Sequence, residues 1–226
     1  IFVANLMMYI LFLGLVVLTY KNIEEDKQAA MPLLGDEKPA GDHKKLYALL
    51  ILCGGYALCW IAYVQWTSTI SAHTQTVGIS LKQYSLLWTI NGALIVLGQP
   101  VVNKFIYMFM KKVKIQMLAG MVIFTLSFVV AALASDFGGF LTAMLILTVG
   151  EMLVWPAVPT IADELSPAGK EGFYQGIVNS ASTGGKMIGP LLGGYLVDQY
   201  GMQMMFLVLI LLFLTAMVTT SLYDKI

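Results

Sequence analysis

The sequence has few charged side chains, no arginine and only two cysteines. Of its 226 residues 12% are charged, about half of the roughly 25% that is usual for a soluble chain. Its 13 lysines are balanced by 13 acidic residues, so we do not expect the concentrated positive face that nucleic-acid binding requires. Cys53 and Cys59 are about 600° apart around a helix and point to different sides. These features exclude an ordinary soluble domain, a basic nucleic-acid binder and a disulfide scaffold.

Long apolar runs dominate the chain instead. Hydrophobic residues make up 58% of it, the mean hydropathy is +0.80, and a membrane-spanning helix needs about 20 mostly apolar residues. Seven stretches qualify: Ile1–Tyr20, Leu46–Trp66, Gln83–Asn103, Ile115–Ala134, Gly139–Ala162, Gly172–Val197 and Gln203–Leu222. These runs lack the alternation of membrane β-strands, and a signal peptide would precede a polar mature chain. The sequence therefore predicts an all-α, polytopic membrane helical bundle with seven transmembrane helices.

The lysines predict the orientation of this bundle. One set of alternate loops, together with the tail, contains 11 lysines: Lys21, Lys27, Lys38, Lys44, Lys45, Lys104, Lys111, Lys112, Lys114, Lys170 and Lys225. The opposite set contains Lys82 alone. Because positive residues concentrate on the cytoplasmic side, we expect the protein to lie in the cell membrane with the long loop and the C-terminus on its cytoplasmic side.

The chain divides most naturally at one polar segment. Residues 21–45 carry mixed charges, Pro32 and Pro39, which is typical of a flexible cytoplasmic linker. One helix (1–20) precedes this linker, and a six-helix transmembrane domain (46–226) follows it. The six helices can be grouped as two inverted sets of three, an arrangement found in transporters. Because the chain begins with Ile1 inside an apolar run, we expect it to be part of a longer polypeptide.

Two ionisable residues, Glu151 and Lys186, fall deep within predicted spans. A charge at the bilayer centre costs about 2.5–3.5 kcal/mol on insertion scales. Glu151 is 12 residues from the outer helix end at Gly139, and Lys186 is 11 residues from the outer end at Val197. These separations correspond to roughly 18 and 16.5 Å of helix. The two side chains are therefore expected at the same depth on neighbouring helices.

Two interpretations of this pair remain open. In the functional one, Glu151 takes up and releases a proton, while Lys186 modulates that reaction or contacts an anionic group of the substrate. In the structural one, the two form a permanent buried ion pair that only fixes helix packing. Pro156 and Pro159 follow Glu151 closely and act either as gating hinges or as fixed kinks.

The helix that contains Lys186 has two distinct faces. Its polar residues repeat at i, i+3, i+4 and i+7 and form one stripe, whereas glycines repeat every fourth residue on another side. The stripe consists of Asn179, Ser182, Thr183 and Lys186, and the glycines are Gly185, Gly189 and Gly193. The glycines predict close helix packing. The polar stripe favours a cavity lining over plain packing, because polar groups are costly against lipid.

Further substrate contacts are predicted on the second and third spans. Tyr56, Trp60 and Tyr63 follow helical spacing and either pack between helices or present an aromatic surface to an apolar or cationic ligand. Asn91 is the polar residue of the third span nearest the midplane. It is a further cavity candidate.

Signals for other chemistry are missing from the sequence. It contains no Walker-type phosphate loop and no G-x-S-x-G motif. His43 and His73 lie in predicted loops without the cysteine or carboxylate spacing of a metal site. We therefore expect neither an enzyme nor a bound cofactor or metal.

Several segments resemble the major facilitator superfamily. PTIADELSPAGKEGFYQG is similar to the loop after the tenth helix of that family, and GKMIGPLLGGYLVDQYG to its eleventh helix and the following turn. GQPVVNKFIYMFMKKVK occupies the place of the basic cytoplasmic motif, and GEMLVWP, with its glutamate, looks most like bacterial drug:H+ antiporters. The resemblance implies that the chain is the end of helix six plus helices seven to twelve. It also implies alternating access and a partner half N-terminal to Ile1.

These observations predict the C-terminal half of a proton-coupled exporter of small apolar or cationic compounds. Glu151 is the expected proton carrier and Lys186 its modulator, and the expected partners are substrate, protons, lipid and the N-terminal half. An uptake symporter for a sugar, peptide or organic anion is the alternative among transporters. A non-transporting membrane scaffold or receptor is the alternative from another class.

Overall fold

The computed structural model describes residues 7, 9–16, 42–110 and 112–225, and no β-strand occurs in these ranges. The chain divides into two compact units, residues 1–40 and 41–226. In the first unit, residues 9–16 are helical. Residues 1–6, 8 and 17–20 of the predicted first span, and the predicted linker up to residue 41, lie outside the described residues.

The described residues of the second unit form six helices. They are α1 (Asp42–Tyr63), α2 (Thr69–Thr76), α3 (Leu81–Phe109), α4 (Val113–Leu133), α5 (Phe137–Leu165) and α6 (Glu171–Leu222). Single 3-10 turns, Val64–Trp66 and Tyr223–Lys225, follow α1 and α6. Helix α1 begins four residues before the predicted span at Leu46, so the end of the predicted linker is helical.

Helix α6 contains two of the predicted spans. Its 52 residues are interrupted at Gly201, where φ is 81° and ψ is 172°. A positive φ of this size is readily adopted by glycine alone, so Gly201 permits the chain to turn between the two spans. We call residues 171–200 α6a and residues 202–222 α6b. Within the described ranges, five helical stretches are long and apolar enough to cross a membrane, and α6 is one of them.

Local capping explains where α3 and α5 begin. The Ser80 hydroxyl accepts a hydrogen bond from the Gln83 amide at 3.3 Å, and the Gln83 side chain accepts one from the Ser80 amide at 3.0 Å. This reciprocal pair satisfies two backbone donors at the start of α3. Asp136 caps α5 by accepting from the Gly139 amide at 2.7 Å.

The core lies where α4 packs against α5 and α6b. Phe124, Phe128 and Phe213 are fully buried there, and the Phe213 ring lies 5.5 Å from Phe124 and 5.0 Å from Phe128. Helices α4 and α5 approach closely at Gly120 and Gly150, because a Cβ on Gly150 would lie 2.6 Å from the Phe124 ring. Small residues permit such contacts between apolar helices.

The glycine series of α6a packs against α1. A Cβ on Gly185 would lie 2.6 Å from the Ala57 carbonyl oxygen and 2.7 Å from Cβ of Trp60. One turn further on, the buried Gln65 side chain donates to the Gly189 carbonyl at 2.6 Å. The glycines thus bring α6a close enough to α1 for a side chain of one helix to bond the backbone of the other.

Large apolar side chains remain exposed on the outer faces of α3 and α6a. Val96, Leu97 and Val101 of α3 are at least 70% exposed, and Leu191 of α6a is 74% exposed. A soluble domain would bury most such side chains. This surface suits lipid or further helices.

Candidate functional site

Glu151 lies at the crossing of α3 and α5. Its side chain is only 3% exposed, and the Asn91 side-chain amide donates to its two carboxylate oxygens at 3.2 and 3.1 Å. The same amide donates to the Thr148 hydroxyl at 3.0 Å. Tyr63 of α1 is close enough to interact electrostatically with the carboxyl. Among the described residues, the polar groups next to the Glu151 carboxyl are uncharged. A negative charge on Glu151 is therefore stabilised by their dipoles.

The same region contains a cavity between α3 and α5. It has a volume of about 370 Å³, and Glu151, Trp155, Gln99 and Asn103 contribute to its lining. A second cavity of about 530 Å³ shares Asn103 and Pro156 with the first. Glu151 therefore borders a space that is large enough for a small ligand.

Lys186 is not paired with Glu151. Its side chain is exposed, and its ammonium lies 3.9 Å from the centroid of the Trp60 ring. Trp60 in turn stacks on Trp155 of α5 with ring centroids 4.3 Å apart and planes 12° apart. Because Trp155 covers one face of Trp60, the ammonium lies on the opposite face. Two stacked indoles therefore separate Lys186 from α5, and the permanent ion pair considered from the sequence does not form.

Trp60 and Trp155 are the centre of an aromatic cluster, which we define as Tyr56, Trp60, Tyr63, Phe124 and Trp155. Around Trp155, the ring centroids lie 5.8 Å away for Tyr56, 5.2 Å for Tyr63 and 5.4 Å for Phe124. The cluster both packs three helices together and borders the cavity through Trp155.

Trp155 was not among the site residues predicted from the sequence. It follows Glu151 by four residues, so the two share one face of α5, and that spacing is the signal that could have identified it. In the sequence it is indistinguishable from an ordinary apolar residue of a transmembrane helix. Its importance depends on Trp60, which a different helix contributes.

The polar stripe of α6a divides in the structure. Asn179 and Thr183 are exposed and line a separate cavity of about 420 Å³. Ser182 is buried and its hydroxyl donates to the Asn179 carbonyl at 2.9 Å. The structure therefore does not bring Asn179 and Thr183 into the cavity next to Glu151. Of the predicted cavity residues, Asn91 bonds to Glu151, and Trp60 and Tyr63 contact Trp155. These three residues thus lie behind the cavity lining and do not form part of it.

The prolines of α5 leave backbone carbonyls without their usual helical donors. Pro156 has no N–H for the Met152 carbonyl, and the Gln99 side chain donates to that oxygen at 3.4 Å. Gln116 of α4 donates to the next carbonyl, that of Leu153, at 2.8 Å. Side chains of α3 and α4 thus donate to two adjacent carbonyls of α5 near Pro156, which predicts stable contacts at this part of the helix.

No group of three or more histidine, cysteine, aspartate or glutamate side chains is placed for metal binding within the described ranges. The candidate site therefore consists of one carboxyl, one ammonium, an aromatic stack and side-chain amides.

Comparison with known proteins identifies the family. The Major Facilitator Superfamily model matches residues 1–181 and, in a second alignment, 47–225. The whole chain is 52% identical over 225 residues to the uncharacterized MFS-type transporter YttB of Bacillus subtilis (strain 168) and covers 56% of it. A shorter stretch of 59 residues, 26% of the chain, is 39% identical to the multidrug resistance protein MdtG of Serratia proteamaculans (strain 568), and covers 14% of that protein.

A solved structure has the same fold. A POT family transporter in complex with 5-aminolevulinic acid superposes with a TM-score of 0.69 at 17% identity, over 99% of this chain and 53% of the other. The chain thus spans about half the length of YttB and of this transporter. The fold and the match along the whole sequence lead to one conclusion: the chain is a multi-pass membrane protein of the major facilitator superfamily.

Proposed function

We propose that the chain is the C-terminal half of a proton-coupled exporter of small apolar or cationic compounds. In this proposal residues 1–20 belong to the preceding half, residues 21–45 are a cytoplasmic linker, and residues 46–226 form the second half. The protein lies in the cell membrane with the linker and the C-terminus in the cytoplasm. Two such halves would alternate in opening a central site to either side.

The observation that carries the proposal is the position of Glu151. Its carboxyl is buried and borders a cavity. The group that donates hydrogen bonds to it, the Asn91 amide, carries no charge. A charge at membrane depth is costly, and binding a proton removes that cost. A carboxyl in this setting can exchange a proton with water in the cavity, whereas one in a tight ion pair stays charged.

Coupling requires substrate and proton to favour different states of Glu151. A cation near the charged carboxylate would be attracted to it and would be released more readily after protonation. Antiport follows if the binding site changes the side of the membrane to which it is open only when either the substrate or the proton is bound. The apolar and aromatic lining next to Glu151, with Trp155 as its largest ring, supports apolar or cationic compounds as substrates. The similarity of one segment to a multidrug resistance protein agrees with this.

The central test is the substitution Glu151→Gln in the complete polypeptide. Everted membrane vesicles with an acidic lumen, clamped at zero membrane potential, are supplied with tetraphenylphosphonium as the probe. We expect the wild type to accumulate the cation and Glu151→Gln to lose gradient-driven accumulation, because glutamine cannot carry the proton. Saturable binding of tetraphenylphosphonium to the purified variant, measured by equilibrium dialysis, should remain detectable, which shows that the variant folds and binds.

The matched control is Glu164→Gln, the same change at an exposed position near the end of the same helix. It should accumulate the probe like the wild type. Undiminished gradient-driven accumulation in Glu151→Gln would refute the role of Glu151. Accumulation only in vesicles of the opposite orientation, driven by an acidic exterior, would identify an uptake symporter, and no movement of any probe would favour a scaffold.

A further inference from the structure

We propose that Lys186 is a built-in competitor for a cation-binding surface, and that organic cations bind on the Trp60–Trp155 stack by displacing its ammonium. This inference rests on the proposed transport function and specifies what the aromatic cluster recognises. It assigns Lys186 a role in substrate selection in place of direct modulation of the Glu151 carboxyl.

The first step is the chemistry of the stack. An indole face attracts cations, and tryptophan does so more strongly than other aromatic side chains. Trp60 presents its free face on the side opposite to Trp155, since the two rings stack at 4.3 Å. The Lys186 ammonium, 3.9 Å from the Trp60 centroid, already occupies this face. The protein thus contains a cation-binding surface whose occupant is one of its own side chains.

The second step is how weakly Lys186 is held there. The described residues place no hydrogen-bond acceptor or carboxylate against its ammonium, and the contact with Trp60 is the interaction that the structure assigns to it. Its side chain is exposed, so it has room to leave. Pro190, four residues later in α6, has no N–H for the Lys186 carbonyl, which loosens the helix at this point. An incoming cation therefore replaces one cation–π contact and breaks no ion pair.

The third step is the charge balance. While Lys186 rests on Trp60, its positive charge disfavours a second cation at the same face and favours an anion beside it. Once Lys186 is displaced, this face of Trp60 is free to bind a cation. Trp60 stacks on Trp155, which lines the same cavity as Glu151. Cations that are large, apolar and delocalised compete best, because they lose little hydration on leaving water. Strongly hydrated ammonium ions have no such advantage over Lys186.

The test uses two probes of equal shape and opposite charge, tetraphenylphosphonium and tetraphenylborate. Their binding to the purified complete polypeptide is measured by equilibrium dialysis without any pH gradient. Lys186→Met keeps the unbranched side chain and removes the charge. We expect it to raise the affinity for tetraphenylphosphonium by about 2- to 30-fold, the range of a cation–π contact, and to lower the affinity for tetraphenylborate.

A second substitution separates competition at Trp60 from plain charge repulsion. In a Trp60→Leu background both occupants lose the indole face, so Lys186→Met should change tetraphenylphosphonium binding by less than about twofold. Lys82→Met, which removes an exposed lysine at the start of α3, should leave both affinities unchanged. Lys186→Arg, whose planar guanidinium stacks on aromatic faces, should weaken cation binding.

Three results would overturn the proposal. Lys186→Met could leave tetraphenylphosphonium binding unchanged while tetraphenylborate binding is lost, which would make Lys186 an anion contact. Its effect could persist in full in the Trp60→Leu background, which would make it long-range repulsion. Lys82→Met could produce the same rise, with the same conclusion. Because these measurements use no gradient, they are independent of whether Glu151→Gln uncouples transport.

Discussion

Helix α5 presents two different faces, one packed against α4 and one open towards α3. On the packed face Gly150 lies so close to α4 that a Cβ there would meet the Phe124 ring at 2.6 Å and the Gly120 carbonyl at 3.1 Å. On the open face the next residue, Glu151, borders a cavity of about 370 Å³. Adjacent residues point about 100° apart on a helix, so one residue step separates the two environments.

This difference suggests how the helix combines rigidity with access. The contact with α4 is made by backbone and ring atoms at van der Waals distance, which leaves little room for sliding. The contact with α3 includes hydrogen bonds from two side-chain amides, Asn91 and Gln99, and Gln99 lines the cavity. We infer that α4 and α5 behave as one body and that α3 is the helix whose contact with α5 can change.

The largest effect is expected on the open face, from Asn91→Leu. Leucine fills a similar volume but removes the hydrogen bonds to both oxygens of Glu151. Hydrogen bonds to a charged group contribute about 1.5–3 kcal/mol, so gradient-driven accumulation of tetraphenylphosphonium should fall by about 10- to 150-fold. The measurement is the initial rate in everted vesicles.

The control for this variant is Thr89→Val on the same helix. The Thr89 hydroxyl donates to the Ser85 carbonyl of its own helix at 3.1 Å, so its loss should leave the rate within about twofold of the wild type. If Asn91→Leu transported at the wild-type rate, the polar crossing of α3 and α5 would be incidental to transport.

The next largest effect is expected on the packed face, from Gly150→Ala. The added Cβ forces α4 and α5 apart, and overpacking of this kind typically costs about 1–3 kcal/mol. The apparent Tm should fall by about 2–4 °C for each kcal/mol. Unfolding is measured by the reaction of the buried Cys53 and Cys59 with a thiol-specific dye. The amount of tetraphenylphosphonium bound per folded molecule should remain that of the wild type.

Gly194→Ala is the matched control, because a Cβ at this helical position meets nothing within 4 Å. Alanine is the better helix former, so Tm should stay constant or rise slightly. An equal loss of stability in both variants would contradict the special closeness of α4 and α5.

The sequence predicts the helices well because apolar length is a local property. The spans of residues 46–226 coincide with α1 and α3 to α6, and the family was recognisable from segments such as PTIADELSPAGKEGFYQG. Glu151 and Asn91 were selected as candidates because a polar residue within an apolar run is itself a signal. These inferences needed no knowledge of how the helices are arranged side by side.

The lateral arrangement is what the sequence could not provide. Counting residues placed Glu151 and Lys186 at one depth, but depth does not determine the direction of a side chain around its helix. In the structure the Lys186 ammonium lies on Trp60, whereas the Glu151 carboxyl is bonded to Asn91. Thr183, from the same stripe as Lys186, faces a different cavity for the same reason. Contacts between helices depend on rotations that no single periodic pattern specifies.

The smallest effect concerns the kink, where Gln99→Leu leaves the Met152 carbonyl without the donor that Pro156 cannot supply. The bond is long, 3.4 Å, so its loss should cost about 1 kcal/mol, near the lower end for an unsatisfied carbonyl. The apparent Tm should fall by about 2–4 °C. In a Pro156→Ala background the helix regains its own N–H, so Gln99→Leu should there lower Tm by less than 1 °C, a coupling of about 1 kcal/mol. Equal decreases in both backgrounds would show that Gln99 stabilises the protein through the cavity and that the kink needs no partner from α3.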